Sequence, residues 1–197
     1  AMVLAYDVYC GLSDAVDFNS KGWDQPVYGV LAGALAAGKL LQLSAEQMAN
    51  AVSLALAPNM ALGQTRQGDL SNWKGCAGAN AARNSVFAAF LAQEGFSGPT
   101  AVFEGRGGLW NVVGRFEVPL PAGAGVPHRI VDTHLKSLPV CYHGQSAVLG
   151  ALELRSRVRS DDVREIRIDS YHTAVMMMGA DPSRWAPTTR ETADHSL

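Results

Sequence analysis

Apolar positions recur at helical spacing through most of the first 95 residues, which predicts a run of helices. Residues 1–17 read as an amphipathic helix, and Asn19-Ser20-Lys21-Gly22 as the turn that follows it. Trp23-Asp24-Gln25-Pro26 leads into a second helix over about 27–41, rich in Gly and Ala. Ser44 followed by Glu46 and Gln47 is a helix start, with Leu43 as a staple, and that third helix runs until Pro58. Small residues at the contact positions let backbones approach closely, so these helices are expected to form a compact bundle. A polar loop over 63–72 precedes a fourth helix, about 73–94, closed by Gly95. The stretch from Gly98 to Pro127 is Gly/Pro-rich and reads as irregular connection.

The pattern then changes. Arg129–Leu135 is strand-like, Gln145–Val158 is an amphipathic helix, and Val163–Ser170 alternates as a strand through Val163, Ile166 and Ile168. The fold class expected is therefore mainly α: part of an all-helical domain over 1–130, followed by the start of a smaller α/β lid over 131–197. The chain opens on an uncapped apolar helical pattern and closes on a capped start without a helix body, so both ends read as cuts through a longer protein.

Composition narrows the function classes. With 197 residues, 48% hydrophobic and 17% charged, the chain has an ordinary globular balance. A net charge of −2 gives no basis for nucleic acid or an anionic membrane as partner. Cys10, Cys76 and Cys141 show no paired spacing, which argues for a reducing, cytoplasmic compartment rather than a disulfide framework. No run reaches the roughly 18 apolar residues of a membrane span.

Two constellations carry candidate chemistry. Ser71-Asn72-Trp73-Lys74-Gly75 sets a lysine at a loop-to-helix junction, where unpaired N–H groups and the helix dipole favour an anion. Without further glycines, or a Ser or Thr after the lysine, it is not a P-loop. The bland alternative is a surface lysine in a first turn. Lys136 to Ser146 gathers Lys136, Cys141, Tyr142, His143 and Gln145 at a strand-to-helix corner. There His143 is the natural proton carrier; the alternative is a capping histidine beside a buried Cys141. Cys141 and His143 lack third and fourth partners at metal-site spacing, and His128, Asp132 and His134 read as solvated strand residues, so no metal and no cofactor is expected. Gly105-Arg106-Gly107-Gly108 lacks the strand-loop-helix setting of a phosphate loop, and Met176-Met177-Met178 reads as core or interface. Arg190, Asp194 and His195 sit at a helix start, a weak signal alone.

Taken together, GWDQPVYG at 22–29, SNWKGCAGANAARN at 71–84, FEGRGG at 103–108, LPVCYHGQSAV at 138–148 and RETADHSL at 190–197 resemble the MmgE/PrpD family, in family order. The resemblance implies a two-part, homodimeric enzyme without a metal, acting on a small polycarboxylate. Its chemistry would be hydro-lyase dehydration of a 2-hydroxy tricarboxylate such as 2-methylcitrate. Decarboxylation or epimerisation of a related acid, or a non-catalytic helical oligomerisation module, are the alternatives. By position, Lys74 matches a substrate-facing lysine, Lys136 a second lysine near the domain junction, and His143 the histidine of an aromatic-His turn. Cys141 stands where decarboxylase relatives use histidine, and Asp24 falls near a further site position, with Gln25 where relatives often carry histidine. The catalytic candidates are thus His143, Lys74, Lys136 and Asp24. Tyr142, Gln145, Cys141, Arg66 and His195 are the substrate-binding candidates.

Overall fold

The computed structural model describes residues 1–121 and 125–194. The chain divides into two compact units: residues 1–66 with 75–133, and residues 67–74 with 134 onward. The architecture is mainly α-helical, and no helix among the described residues is long and apolar enough to cross a membrane.

The first unit is built from α1 (Met2–Ala15), α2 (Pro26–Leu40), α3 (Ala45–Leu56) and most of α4 (Trp73–Gln93). Local sequence sets the ends of these helices. Pro26 occupies the first position of α2, where its missing N–H costs nothing. Ser44 and Gln47 close a reciprocal capping box on α3. α2 packs against both α1 and α3, and Val8, Leu12, Phe18, Val27, Leu31 and Leu56 are buried together.

The Tyr28 hydroxyl donates to the Val16 carbonyl (2.8 Å) and accepts from the Phe18 N–H (3.1 Å), fastening the 16–18 corner to α2. Burial pushes the Tyr28 phenol up from its ordinary value, against that backbone hydrogen bond.

Small residues let α4 approach α2. Val30, Ala34, Ala55, Ala81 and Ala88 form one buried cluster, and the Ser85 hydroxyl lies 2.9 Å from the Val30 carbonyl and 2.7 Å from that of Ala81. A Cβ on Gly33 would come within 2.6 Å of the Ser85 hydroxyl, so this crossing requires glycine. The connection after α4 contains a short helical turn, α5 (Trp110–Val113). A further turn, Arg129–Asp132, is fixed to α1. There the buried Asp7 carboxylate accepts from the Arg129 N–H (2.8 Å) and pairs with His128 Nδ1 (2.7 Å), while the Arg129 guanidinium pairs with Asp14.

The second unit has α6 (Gln145–Leu154), a short α7 (His172–Ala174) continued by a π-helical turn over Val175–Gly179, and α8 (Arg190–Ala193). Single 3-10 turns at Tyr142–Gly144, Ser160–Asp162 and Pro182–Arg184 connect them. Segment 67–74 is tied in by a threonine clamp. The Leu70 N–H donates to the Thr192 hydroxyl (3.0 Å), and the Thr189 hydroxyl donates to the Leu70 carbonyl (2.6 Å). Thr189 also caps α8 by accepting from the Thr192 N–H (3.0 Å).

Both strands expected from alternation are corrected by the structure. Residues 129–132 form a 3-10 turn, and 163–170 has no regular secondary structure. Among the described residues the only β-type pairing is an isolated bridge between Trp23 and Leu62. Alternation marks a segment able to pair, but a strand exists only where a second segment supplies the hydrogen bonds. Ile166 is accordingly 79% exposed.

Candidate active site

The lysine of the Ser71–Gly75 motif meets the end of the chain. The Lys74 ammonium pairs with the Asp194 carboxylate and donates to the Glu191 carbonyl (3.3 Å). Its side chain is 11% exposed and that of Asp194 27%, so this pair is shielded more than a surface bridge. The Cys141 N–H donates to the Asp194 carbonyl (2.7 Å). Three segments far apart in sequence, carrying Lys74, Cys141 and Asp194, therefore converge within the second unit.

His143 stands two residues beyond Cys141 on the Tyr142–Gly144 turn. Its Nδ1 is hydrogen-bonded to the Tyr171 hydroxyl, and the two rings meet edge to face with centroids 5.5 Å apart. The contact engages Nδ1 and leaves Nε2 as the nitrogen available for proton transfer. Tyr142 packs edge-on to His143 and lies parallel to His134, whose Nδ1 is 3.1 Å from the Tyr142 hydroxyl.

Gln145 works on its own loop. Its Oε1 accepts from the Ser137 and Leu138 N–H groups (3.2 and 3.1 Å), and its Nε2 donates to the Leu138 and Val140 carbonyls (2.9 and 3.1 Å). The side-chain amide thus shapes the Pro139 turn that leads into Cys141 and His143. Lys136 is exposed and makes no ion pair with the described residues. Cys141 is buried as a free thiol.

Asp24 and Arg66 form a pair of their own in the first unit. The Arg66 Nε donates to both Asp24 oxygens at 3.0 and 3.1 Å, the Gln25 N–H adds a third bond (2.8 Å), and Asp24 is 2% exposed. Beside it the Tyr9 phenol is pushed up to about 12, chiefly by burial and then by the neighbouring Tyr28 and Asp24. His195 lies outside the described residues.

Sequence reasoning did not select Tyr171, and it gave Asp194 little weight. Tyr171 carried no signal, because its value comes from contact with a residue 28 positions away. The Asp194 signal was present in the capped Thr189–Asp194 segment, but its partner Lys74 is 120 residues away. A cleft of about 520 Å³ in the first unit is lined by Trp23, Leu56, Met60, Arg106 and Val112 among others, and none of the described candidate residues lines it. Among the described residues no group of three or more His, Cys, Asp or Glu side chains converges as a ligand set for a metal.

The geometry can do three things: hold a cation beside a carboxylate, present a histidine whose Nε2 has no hydrogen-bond partner among the described residues, and hold the histidine's turn by side-chain hydrogen bonds. Similarity to known proteins bears on what that serves. The MmgE/PrpD N-terminal domain matches residues 1–118 and the MmgE/PrpD C-terminal domain residues 138–197. The mitochondrial 2-methylcitrate dehydratase of Yarrowia lipolytica (strain CLIB 122 / E 150) is 26% identical over 187 residues. That alignment covers 90% of this chain and 36% of the relative, so the chain spans little more than a third of that protein's length. With both domain types matched in order along nearly all its residues, this chain belongs to the MmgE/PrpD family.

Proposed function

We propose that this chain is part of a hydro-lyase of the dehydratase type, acting on a small 2-hydroxy polycarboxylate such as 2-methylcitrate. The observation that carries the reading is the convergence of Lys74, Asp194 and the Cys141–His143 turn in one unit. The similarity to a 2-methylcitrate dehydratase supports it.

Dehydration removes a carbon-bound proton α to a carboxylate and expels hydroxide, which leaves as water once protonated. Negative charge builds on the carboxylate as the C–H bond breaks, and a fixed cation beside it lowers that barrier. Lys74 and Lys136 are the cations of this reading. Asp194 is a positioning residue that fixes the Lys74 ammonium, and a substrate carboxylate would share or displace that pair. His143 carries the proton through Nε2. Because the proton comes and goes at Nε2, Nδ1 keeps its hydrogen in both states of the cycle and donates it to the Tyr171 hydroxyl oxygen, which supports the ring throughout. Tyr142 borders the same space, and Gln145 positions the turn. Asp24 holds Arg66 as a separate cationic group. The assembly is a homodimer in this reading, and no metal enters the steps.

Kinetics of the full-length protein with 2-methylcitrate test the assignment. His143→Ala lowers kcat by roughly 10²–10⁴-fold, leaves KM nearly unchanged and removes one limb of the pH–rate profile. Lys74→Met raises KM strongly with a smaller loss in kcat. Wild-type kinetics in His143→Ala would end the proton-carrier assignment. Equal losses in both variants, with a lowered Tm, would reduce both residues to a structural role.

A further inference from the structure

Arg184 sits on the turn Pro182–Arg184 with its side chain only 4% exposed. Its Nε and Nη1 have no hydrogen-bond acceptor among the described residues. The carboxylate paired with it, that of Asp181, stands 3.9 Å from Nη2, at the limit of an ion pair, and is itself about a third exposed. A buried lysine can relieve such a situation by releasing its proton, but a guanidinium stays charged. Desolvated charges are held by acceptors in close geometry, so two empty donors on a buried guanidinium mark a place for an anion.

The fold puts that place near the chemistry. The Pro182–Arg184 turn packs on the Val175–Gly179 turn and on α8. The first of these neighbours packs in turn on Tyr142–Gly144, which carries His143; the second leads directly into Asp194, the partner of Lys74. The chemistry also leaves a vacancy. A tricarboxylate brings three negative groups, and Lys74 and Lys136 answer two. Each edge of a guanidinium offers two parallel N–H groups at the spacing of carboxylate oxygens, one from Nη2 and the other from the empty Nε or the empty Nη1, which an ammonium cannot match.

We propose that Arg184 is a substrate-binding residue of this site, holding the third carboxylate of a tricarboxylate and so selecting it over a dicarboxylate. The assignment rests on the polycarboxylate reading given above. The test is calorimetric titration of the full-length protein with tricarballylate, and with glutarate as an acid one carboxylate shorter. Arg184→Gln weakens tricarballylate by at least about tenfold, the loss of one charge-assisted contact, and leaves glutarate unchanged. Equal tricarballylate affinity in the variant and the wild type overturns the role of Arg184 while the polycarboxylate reading stands. Absence of binding of both acids to the wild type overturns the two together. Should Arg184→Gln fail to fold by circular dichroism, Arg184→Lys decides, since it keeps the charge and loses the planar edge. Selective weakening of tricarballylate is then the expected result, and equal weakening of both acids marks a structural role and overturns the proposal.

Discussion

The two units of the chain are held together by different forces. The first is a helical bundle whose order comes from apolar burial: Phe18, Val27, Ala34, Ala51, Ala55 and Ala89 are fully buried. The second has an α-helix, α6, without a single buried residue, and its order rests on named polar contacts. The Thr189–Thr192 clamp on Leu70, the Lys74–Asp194 pair and the Gln145 brace are among them. Apolar burial is non-directional and tolerates exchange of one hydrophobe for another of similar volume. Hydrogen bonds and ion pairs demand particular atoms in particular places. The unit that carries the candidate chemistry is thus the one whose structure depends most on the identity of single side chains.

Substitutions can break that contrast. The largest effect is expected from Phe18→Ala, which removes a fully buried ring beside Tyr28 (centroids 4.7 Å apart). Denaturant unfolding should show a loss of about 3–5 kcal/mol. A loss under about 1 kcal/mol would mean that the first unit is not organised around this cluster.

A smaller loss is expected in the second unit. Thr192→Val keeps the shape of a fully buried side chain but removes the acceptor of the Leu70 N–H. A buried donor left without a partner costs about 1–3 kcal/mol. Amide exchange read residue by residue should place the loss in 67–74 and 189–194, and uniform loss across both units would contradict the polar account of the second.

The smallest effect is electrostatic and belongs to the first unit. Burial works to raise the Asp7 carboxyl, but the Arg129 N–H and His128 outweigh it and hold the group below the ordinary carboxylate value. A depressed acid stabilises the fold above its unfolded value, about pH 4. That contribution disappears as pH falls through the lower folded value. The stability gap between wild type and Asp7→Asn should therefore be constant near neutral pH and shrink below about pH 4. A gap that persists undiminished in acid would assign the Asp7 contacts no charge-dependent part.

The same contrast explains what could be read in advance. The four long helices were legible because their signals are local: apolar spacing, Pro26 at a helix start, the Ser44–Gln47 box and Gly95 after α4. Alternation in 163–170 misled for the complementary reason, since a strand needs a partner that no local pattern contains. Gln145 was legible as a polar residue near His143, but its use as a brace depended on how the Pro139 turn folds back on it.

By itself, then, the sequence determined the helical class, the helix limits and the motifs that could bear charge or move protons. Tertiary structure decided which of those groups meet. Lys74 became the partner of Asp194 across 120 residues, His143 acquired Tyr171, and Asp24 closed on Arg66. Helix signals act over one or two turns of chain, within reach of neighbouring residues. Electrostatic pairs and hydrogen bonds act over a few ångströms of space, and only folding converts distance along the chain into distance in space.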